Sequence, residues 1–240
     1  IKPKVFVAEN VSGLVKGTAK GYFLEILAAL KANGYRVSAK LLDAQWLGVP
    51  QARQRLIFVG VRDDLGLDPV HPKPLPYRYS IRDALPWISK VSSNSSYIQT
   101  WHDADRPSPT VTATIPTKSL DVEAETDISR FAIGDEWDKI GVGGQSEKYF
   151  QLVRPDPDGP APTITAAGGT GSIASVTHPL EKRKFSIAEL RRICGFPDDF
   201  ELSGSYQQQW ERLGRAVPPV MMSHIAGAVR DQILSKIAKK

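Results

Sequence analysis

Lys4-Val5-Phe6-Val7-Ala8-Glu9-Asn10-Val11 and Gln51-Ala52-Arg53-Gln54-Arg55-Leu56-Ile57-Phe58-Val59-Gly60-Val61 are the stretches that decide how the opening part of this chain folds. Residues 4–8 read as a short buried strand ending at Glu9, and residues 56–61 as a second strong strand, because both are short apolar runs rich in β-branched and aromatic residues. Between them Phe23, Ile26, Leu27 and Leu30 fall at i, i+3, i+4 and i+7. That spacing is one apolar helix face, and Gly34 is its stop signal. Residues 35–42 read as a further strand. The order strand, helix, strand, loop, strand over 1–62 is that of part of an α/β domain, cut from the centre of a parallel sheet.

Outward from this segment the composition changes. His71-Pro72-Lys73-Pro74-Leu75-Pro76 is a proline-rich connector, followed by a short helix around Ile81–Leu85 that Pro86 ends. Residues 89–180 are rich in Ser, Thr, Gly and Pro without helical periodicity, which reads as irregular β structure with long loops. Inside it, Arg106-Pro107-Ser108-Pro109-Thr110-Val111-Thr112-Ala113 is echoed by Gly159-Pro160-Ala161-Pro162-Thr163-Ile164-Thr165-Ala166, as two similar turn-plus-strand units. Gly168-Gly169-Thr170-Gly171-Ser172 follows the second copy, either to let backbone approach phosphate or as a plain flexible loop. From residue 185 the pattern is helical: Ser186 with Glu189 is a capping box, a short helix covers Tyr206–Leu213, and an amphipathic helix over Val220–Ile237 is introduced by Pro218-Pro219.

The bulk numbers set bounds. With 240 residues the chain holds one large or two small domains, and 41% hydrophobic with 24% charged residues is ordinary for a globular protein. No apolar run reaches the ~20 residues that span a bilayer. A lone cysteine excludes an internal disulfide framework and fits a reducing compartment. Four scattered histidines with that cysteine give no metal-ligand spacing. A net charge of +5 and a pI near 9.2 favour a polyanionic partner modestly.

Three motifs carry chemistry. Glu9 stands at the tip of a strand. Alone it fits a solvated carboxylate as well as a general acid; followed by Gln51-x-Arg53-x-Arg55 it fits a site, since alternate residues of an extended chain share one face and paired guanidiniums suit phosphate or base oxygens. The competing reading of the arginines is a charged edge strand. Gly214-Arg215-Ala216-Val217-Pro218-Pro219 is the third motif.

In this order the motifs resemble the later motifs of the DNA (cytosine-5) methyltransferases. The stretch Arg183-Lys184-Phe185-Ser186-Ile187-Ala188-Glu189-Leu190-Arg191-Arg192-Ile193, with Gly195-Phe196-Pro197 after it, is similar to that family's ninth motif. The resemblance implies a partial Rossmann-like methyltransferase domain plus a mainly β, loop-rich target recognition domain. It implies residues 1–75 as catalytic domain, 76–185 as recognition domain, and 186–240 as its support and a returning C-terminal helix.

It further implies Glu9, Arg53 and Arg55 in catalysis, and Asn10 with Gly214, Arg215, Ala216 and Val217 at S-adenosylmethionine. Most family members carry asparagine where this chain has Arg215. Gln51, Lys118, Arg130, Thr165, Gly168 and Gly169 are the candidate contacts to double-stranded DNA. Glu189 with Arg183 or Arg192 is a candidate buried ion pair, and Cys194 a packing residue.

The family's nucleophile is a cysteine in a Pro-Cys motif, and its cofactor lies on a glycine-rich turn; both belong upstream of Glu-Asn-Val, while this chain starts eight residues before Glu9, with Ile1. The expectation is therefore a C-terminal portion of a restriction-modification methylase, inactive alone, partnered by an N-terminal half and prone to self-associate through its open face. A non-catalytic DNA-binding relative is the alternative, and an unrelated basic α/β protein a third reading.

Overall fold

The computed structural model describes residues 1–15, 19–88 and 126–237. The chain divides into two compact units, Ile1–Arg78 with Val217–Lys240, and Tyr79–Ala216.

The first unit is built on strands β1 (Val5–Val11), β2 (Tyr35–Asp43) and β3 (Gln54–Arg62), with helix α1 (Lys20–Ala32) linking β1 to β2. The sheet order is β1-β3-β2, and β3 runs antiparallel to both neighbours. The expected parallel sheet is thus corrected. A parallel return needs a crossover of a dozen or more residues, usually with a helix. Between Asp43 and Gln54 the chain makes only a tight 3-10 turn, Ala44–Trp46, whose Asp43 carboxylate accepts from Gln45 N at 3.2 Å. The Ala44 amide then donates to Arg53 O at 2.9 Å, which starts the hairpin-like return.

Each face of the central strand is covered by a different helix. Ile57, Val59 and Val61 pack with Met221, Ile225, Val229 and Ile233. Met221, Ile225 and Val229 come from α6 (Pro219–Val229), which continues through a π-helical turn at Arg230–Leu234. Phe58, one residue out of phase, meets Phe23 of α1 at 5.9 Å between ring centroids. Burying each such side chain contributes roughly 1.5–3 kcal/mol. Gly60 leaves room for the Phe6 ring directly across the pair; a Cβ there would collide with it.

β1 is an edge strand rather than the buried strand expected: Val7 is 38% and Val11 55% exposed. No residue of α1 is fully buried, and Tyr22, Leu24 and Ile26 are exposed.

The second unit holds α2 (Ile81–Ala84), α3 (Ala132–Trp137), β4 (Gly144–Gln145), β5 (Val153–Arg154), α4 (Ile187–Ile193) and α5 (Tyr206–Arg215). One core gathers Leu85, Ile164, Phe185, Leu190, Trp210 and Leu213, and a smaller one Ile128, Ile133, Trp137 and Leu152. Strand is scarcer than a mainly β unit implies: among the described residues β4 and β5 span 2 residues each. Helix α3 sits where irregular structure was expected, because Ala132–Trp137 is too short to show a period. The capping box expected at Ser186 is present, and Ser205 with Gln208 forms a second at the start of α5. Cys194 is 2% exposed at the end of α4.

Candidate active site

Glu9 lies two residues before the end of β1 and faces Ile57 across the pair, while Arg55 faces Val11. Glu9 and Arg55 are therefore diagonal neighbours on one face, within reach of long side chains. Arg55 Nε stands 2.6 Å from Glu9 Oε1, with the guanidinium side chain 11% and the carboxylate side chain 32% exposed. Arg55 Nη1 also donates to its neighbour's carbonyl, Gln54 O, at 2.9 Å. The result is a carboxylate paired with a guanidinium at the end of a sheet, still reachable from outside.

Gln51 and Arg53 are more deeply buried than Arg55. They lie in the lead-in to β3, 0% and 2% exposed. Arg53 is among the largest fully buried side chains of the molecule. The edge-strand reading of these arginines fails, since β3 is the central strand. Asn10 alternates to the other face of β1, and its Oδ1 accepts from Val11 N at 2.8 Å.

The Gly-Arg-Ala-Val-Pro-Pro stretch runs from the end of α5 into α6. Gly214 is buried, and a Cβ there would lie 2.6 Å from Ala166 N. Arg215 is 74% exposed and pairs with Glu211 at 2.5 Å, one helical turn back. Ala216 and Val217 are half-buried in the extended link between the helices, with Ala216 at φ −64, ψ 152.

Among the candidate DNA contacts, Lys118 lies outside the described residues, as does the first copy of the internal echo. Arg130 is exposed, with its guanidinium over the Phe131 ring at 5.5 Å. Thr165 is exposed and its carbonyl accepts from Trp210 Nε1 at 2.8 Å. Gly168 and Gly169 are buried against Trp210, where a Cβ on Gly168 would lie 2.6 Å from the indole nitrogen. Their lack of a side chain serves close packing rather than an outward approach to phosphate, which corrects the expectation for these two residues.

Beneath this loop lies a polar cluster. Arg183 makes a two-pronged bond to Glu189, 2.8 Å from Nη1 to Oε2 and 2.8 Å from Nη2 to Oε1. Glu189 also accepts from Ser186 N at 2.8 Å, closing the capping box. Arg192, the other candidate partner, pairs instead with Asp198 at 2.7 Å. Burial works to raise the Glu189 pKa, but the Arg183 bonds outweigh it and hold the carboxyl below its usual range. Burial likewise draws His178 down to about 4, with the Arg183 charge acting in the same direction. Its Nδ1 accepts from the amides of Leu180 and Glu181, so the neutral ring is the form the fold uses.

Lys184, read only as part of a motif in the sequence, is 0% exposed. Its Nζ donates to Gly168 O and Thr170 O, and to Ile173 O at 2.9 Å. It also lies 5.5 Å from the Trp210 ring centroid. Burial draws its pKa to about 7. No sequence signal marks a lysine of this kind, because its partners come from a loop up to 16 residues earlier.

An α/β unit with a tethered strand-end carboxylate, and a second unit of packed loops and capped helices, define the class. The chain matches the C-5 cytosine-specific DNA methylase family over residues 1–231, and it belongs to that family. It is 32% identical over 235 residues to the type II methyltransferase M.NgoFVII of Neisseria gonorrhoeae, covering 95% of this chain and 59% of that one. It is 31% identical over 229 residues to M.Sau96I of Staphylococcus aureus, covering 94% and 50%. The chain thus spans roughly half of these curated relatives. In fold it is similar to the Entamoeba histolytica methyltransferase EhMeth, with a TM-score of 0.58, 17% identity, and coverage of 96% of this chain and 63% of that one. Among the described residues no helix is long and apolar enough to cross a membrane.

Proposed function

We infer that this chain supplies the base-activating and DNA-reading part of a DNA cytosine-5 methyltransferase, and that the nucleophile and the glycine-rich cofactor turn come from a further polypeptide segment, in the same chain or a partner. The observation that carries the reading is the Glu9–Arg55 pair at the end of the sheet. Cytosine C5 is a poor nucleophile until a thiolate adds at C6. Negative charge then builds on the ring, and a carboxyl group at the N3 edge lowers the barrier by donating a proton there. The target base has to leave the stack to be reached. Glu9 has the chemistry for that role, and Arg55 is its ion-pair partner. Buried Arg53 braces the strand on which Arg55 stands.

S-adenosylmethionine supplies the methyl group when bound. Asn10 is a candidate cofactor contact of the first unit, as Ala216 and Val217 are of the link after α5, whereas Gly214 is committed to packing and the Arg215 head points to Glu211. The unit Tyr79–Ala216 is read as the target recognition part, with Arg130, Thr165 and the loop after it toward double-stranded DNA. Cys194 is too buried to attack a base. Among the described residues no strand pairs with the outer edge of β1, and this edge with the exposed Tyr22, Leu24 and Ile26 of α1 supports a segment that docks there.

The test is transfer of a labelled methyl group from S-adenosylmethionine to duplex DNA. The chain is assayed alone and with a polypeptide carrying the Pro-Cys and glycine-rich motifs. Activity only in the mixture, lost on Glu9→Ala, supports the reading. Activity of the chain alone overturns the need for a second segment. Inactivity of two halves that demonstrably associate moves the reading to a non-catalytic DNA-binding relative.

A further inference from the structure

We propose that Lys184 is a positioning residue for DNA reading: its buried ammonium sets the shape of loop 166–173, whose outer side presents Ala167, Ser172 and Ile173. This rests on the reading of Tyr79–Ala216 as the recognition part.

The loop opens with a single 3-10 turn, Ala166–Gly169, and is irregular from Thr170 on. Inside it the backbone bond is Ile173 N to Thr170 O at 3.0 Å, and a 3.3 Å bond from Gly168 N to Thr165 O ties its start. The turn and the irregular part after it are tied together from below. The ammonium's N–H groups point to three carbonyl oxygens, Gly168 O, Thr170 O and Ile173 O, so one side chain spans the whole loop. Trp210 underlies the glycines at one end, and Phe131 underlies Gly171. Lys184 itself is fixed by its main chain, through a bridge to Thr177 and a 2.8 Å bond from its amide to Thr126 O.

Stability alone is a poor reason for this arrangement. Among the described residues no carboxylate pairs with Lys184, and burying an ammonium is costly enough that apolar replacements of buried charges often stabilise a fold. What the charge uniquely provides is a single point toward which three carbonyls must turn. That fixes the direction of the intervening peptide groups, and with them the outward side chains that would meet base edges or phosphates.

The experiment selects duplexes from a random-sequence pool with the 240-residue chain, in wild-type form and as Lys184→Met, while amide hydrogen exchange is followed in both. The expected result is a motif enriched by the wild type and enriched at least ~10-fold less by Lys184→Met, the scale of one good base contact. Binding to the unselected pool at low salt stays the same. Exchange quickens in 166–173 and not in α4 or α5. A variant that keeps the wild-type enrichment overturns the proposal and leaves the recognition reading intact. A wild-type chain that enriches no motif overturns both. Should Lys184→Met not fold, Lys184→Gln, which keeps fewer donors, is held to the same criteria.

Discussion

Two arginine–glutamate pairs in this chain use the same chemistry to opposite ends. Arg183 and Glu189 are sealed, 8% and 3% exposed, bonded through both prongs and tied into the cap of α4. Arg55 and Glu9 touch through one short contact, and the carboxylate keeps a third of its surface open. The sealed pair has no capacity left for a ligand. Every acceptor of Glu189 is occupied, so breaking it leaves an uncompensated buried charge. The open pair leaves Glu9 an oxygen and a path to it. The contrast separates charge used to fix a scaffold from charge kept available for a substrate.

The largest effect that sharpens this comparison is on the open side. Glu9→Ala is expected to lower methyl transfer in the reconstituted enzyme about 10³-fold, within the range of general acid catalysis. Its chemical-denaturation midpoint stays close to wild type, because a partly exposed pair joined by a single contact is worth about 1 kcal/mol or less. A variant that loses stability and keeps activity would reverse the roles of the two pairs.

On the sealed side, Glu189→Gln is expected to cost about 3–5 kcal/mol by denaturant titration, and Arg183→Met/Glu189→Met much less than the sum of its single changes. Additive losses would mean the two groups do not form one unit.

Next in size is the response to acid. His178 sits beside the sealed pair with its pKa drawn from 6.5 to about 4. The unfolded chain therefore binds a proton in that window that the folded chain refuses. Stability rises with pH from about 4 to 6.5 and is lost as pH falls through it, on the order of 3 kcal/mol in full. Glu189, held below its usual range, adds its own loss at still lower pH. His178→Gln should flatten the slope between pH 6.5 and 4; an unchanged slope assigns the loss to carboxylates alone. The smallest effect is at the cap. Ser186→Ala should cost about 1 kcal/mol in the same titration.

What the sequence disclosed depended on how local the cause was. The capping box at Ser186 and Glu189 spans a single turn and is legible in four residues. So is the stop at Gly34, whose φ of +84 only a glycine adopts readily. The nearness of Glu9 and Arg55 was legible through their motifs and not through their geometry, since strand direction is set by tertiary pairing. The burial of Arg53 and Lys184 was not legible at all. Charged residues read as surface until the backbone that surrounds them is in place. Gly168 and Gly169 misled for a related reason: a glycine run reads as a loose loop, and the partner that makes it a tight one, Trp210, lies some forty residues on.

The reversal of β3 has a consequence for where chemistry can sit. Strands β1 and β2 both finish at the end of the sheet where β3 begins, with Val11 opposite Arg55 and Asp43 opposite Gln54. In a strictly parallel sheet Arg55 would start its strand at the far edge of the layer, the length of a strand away from Glu9. The turn-around converts residues 46 positions apart in sequence into neighbours, without any loop having to carry one to the other. It also makes them hostage to phase: one residue inserted between Arg55 and Leu56 would swing Arg55 to the opposite face of the layer while leaving the apolar strand beyond it in place. Such a protein would fold like its parent and lack the pair.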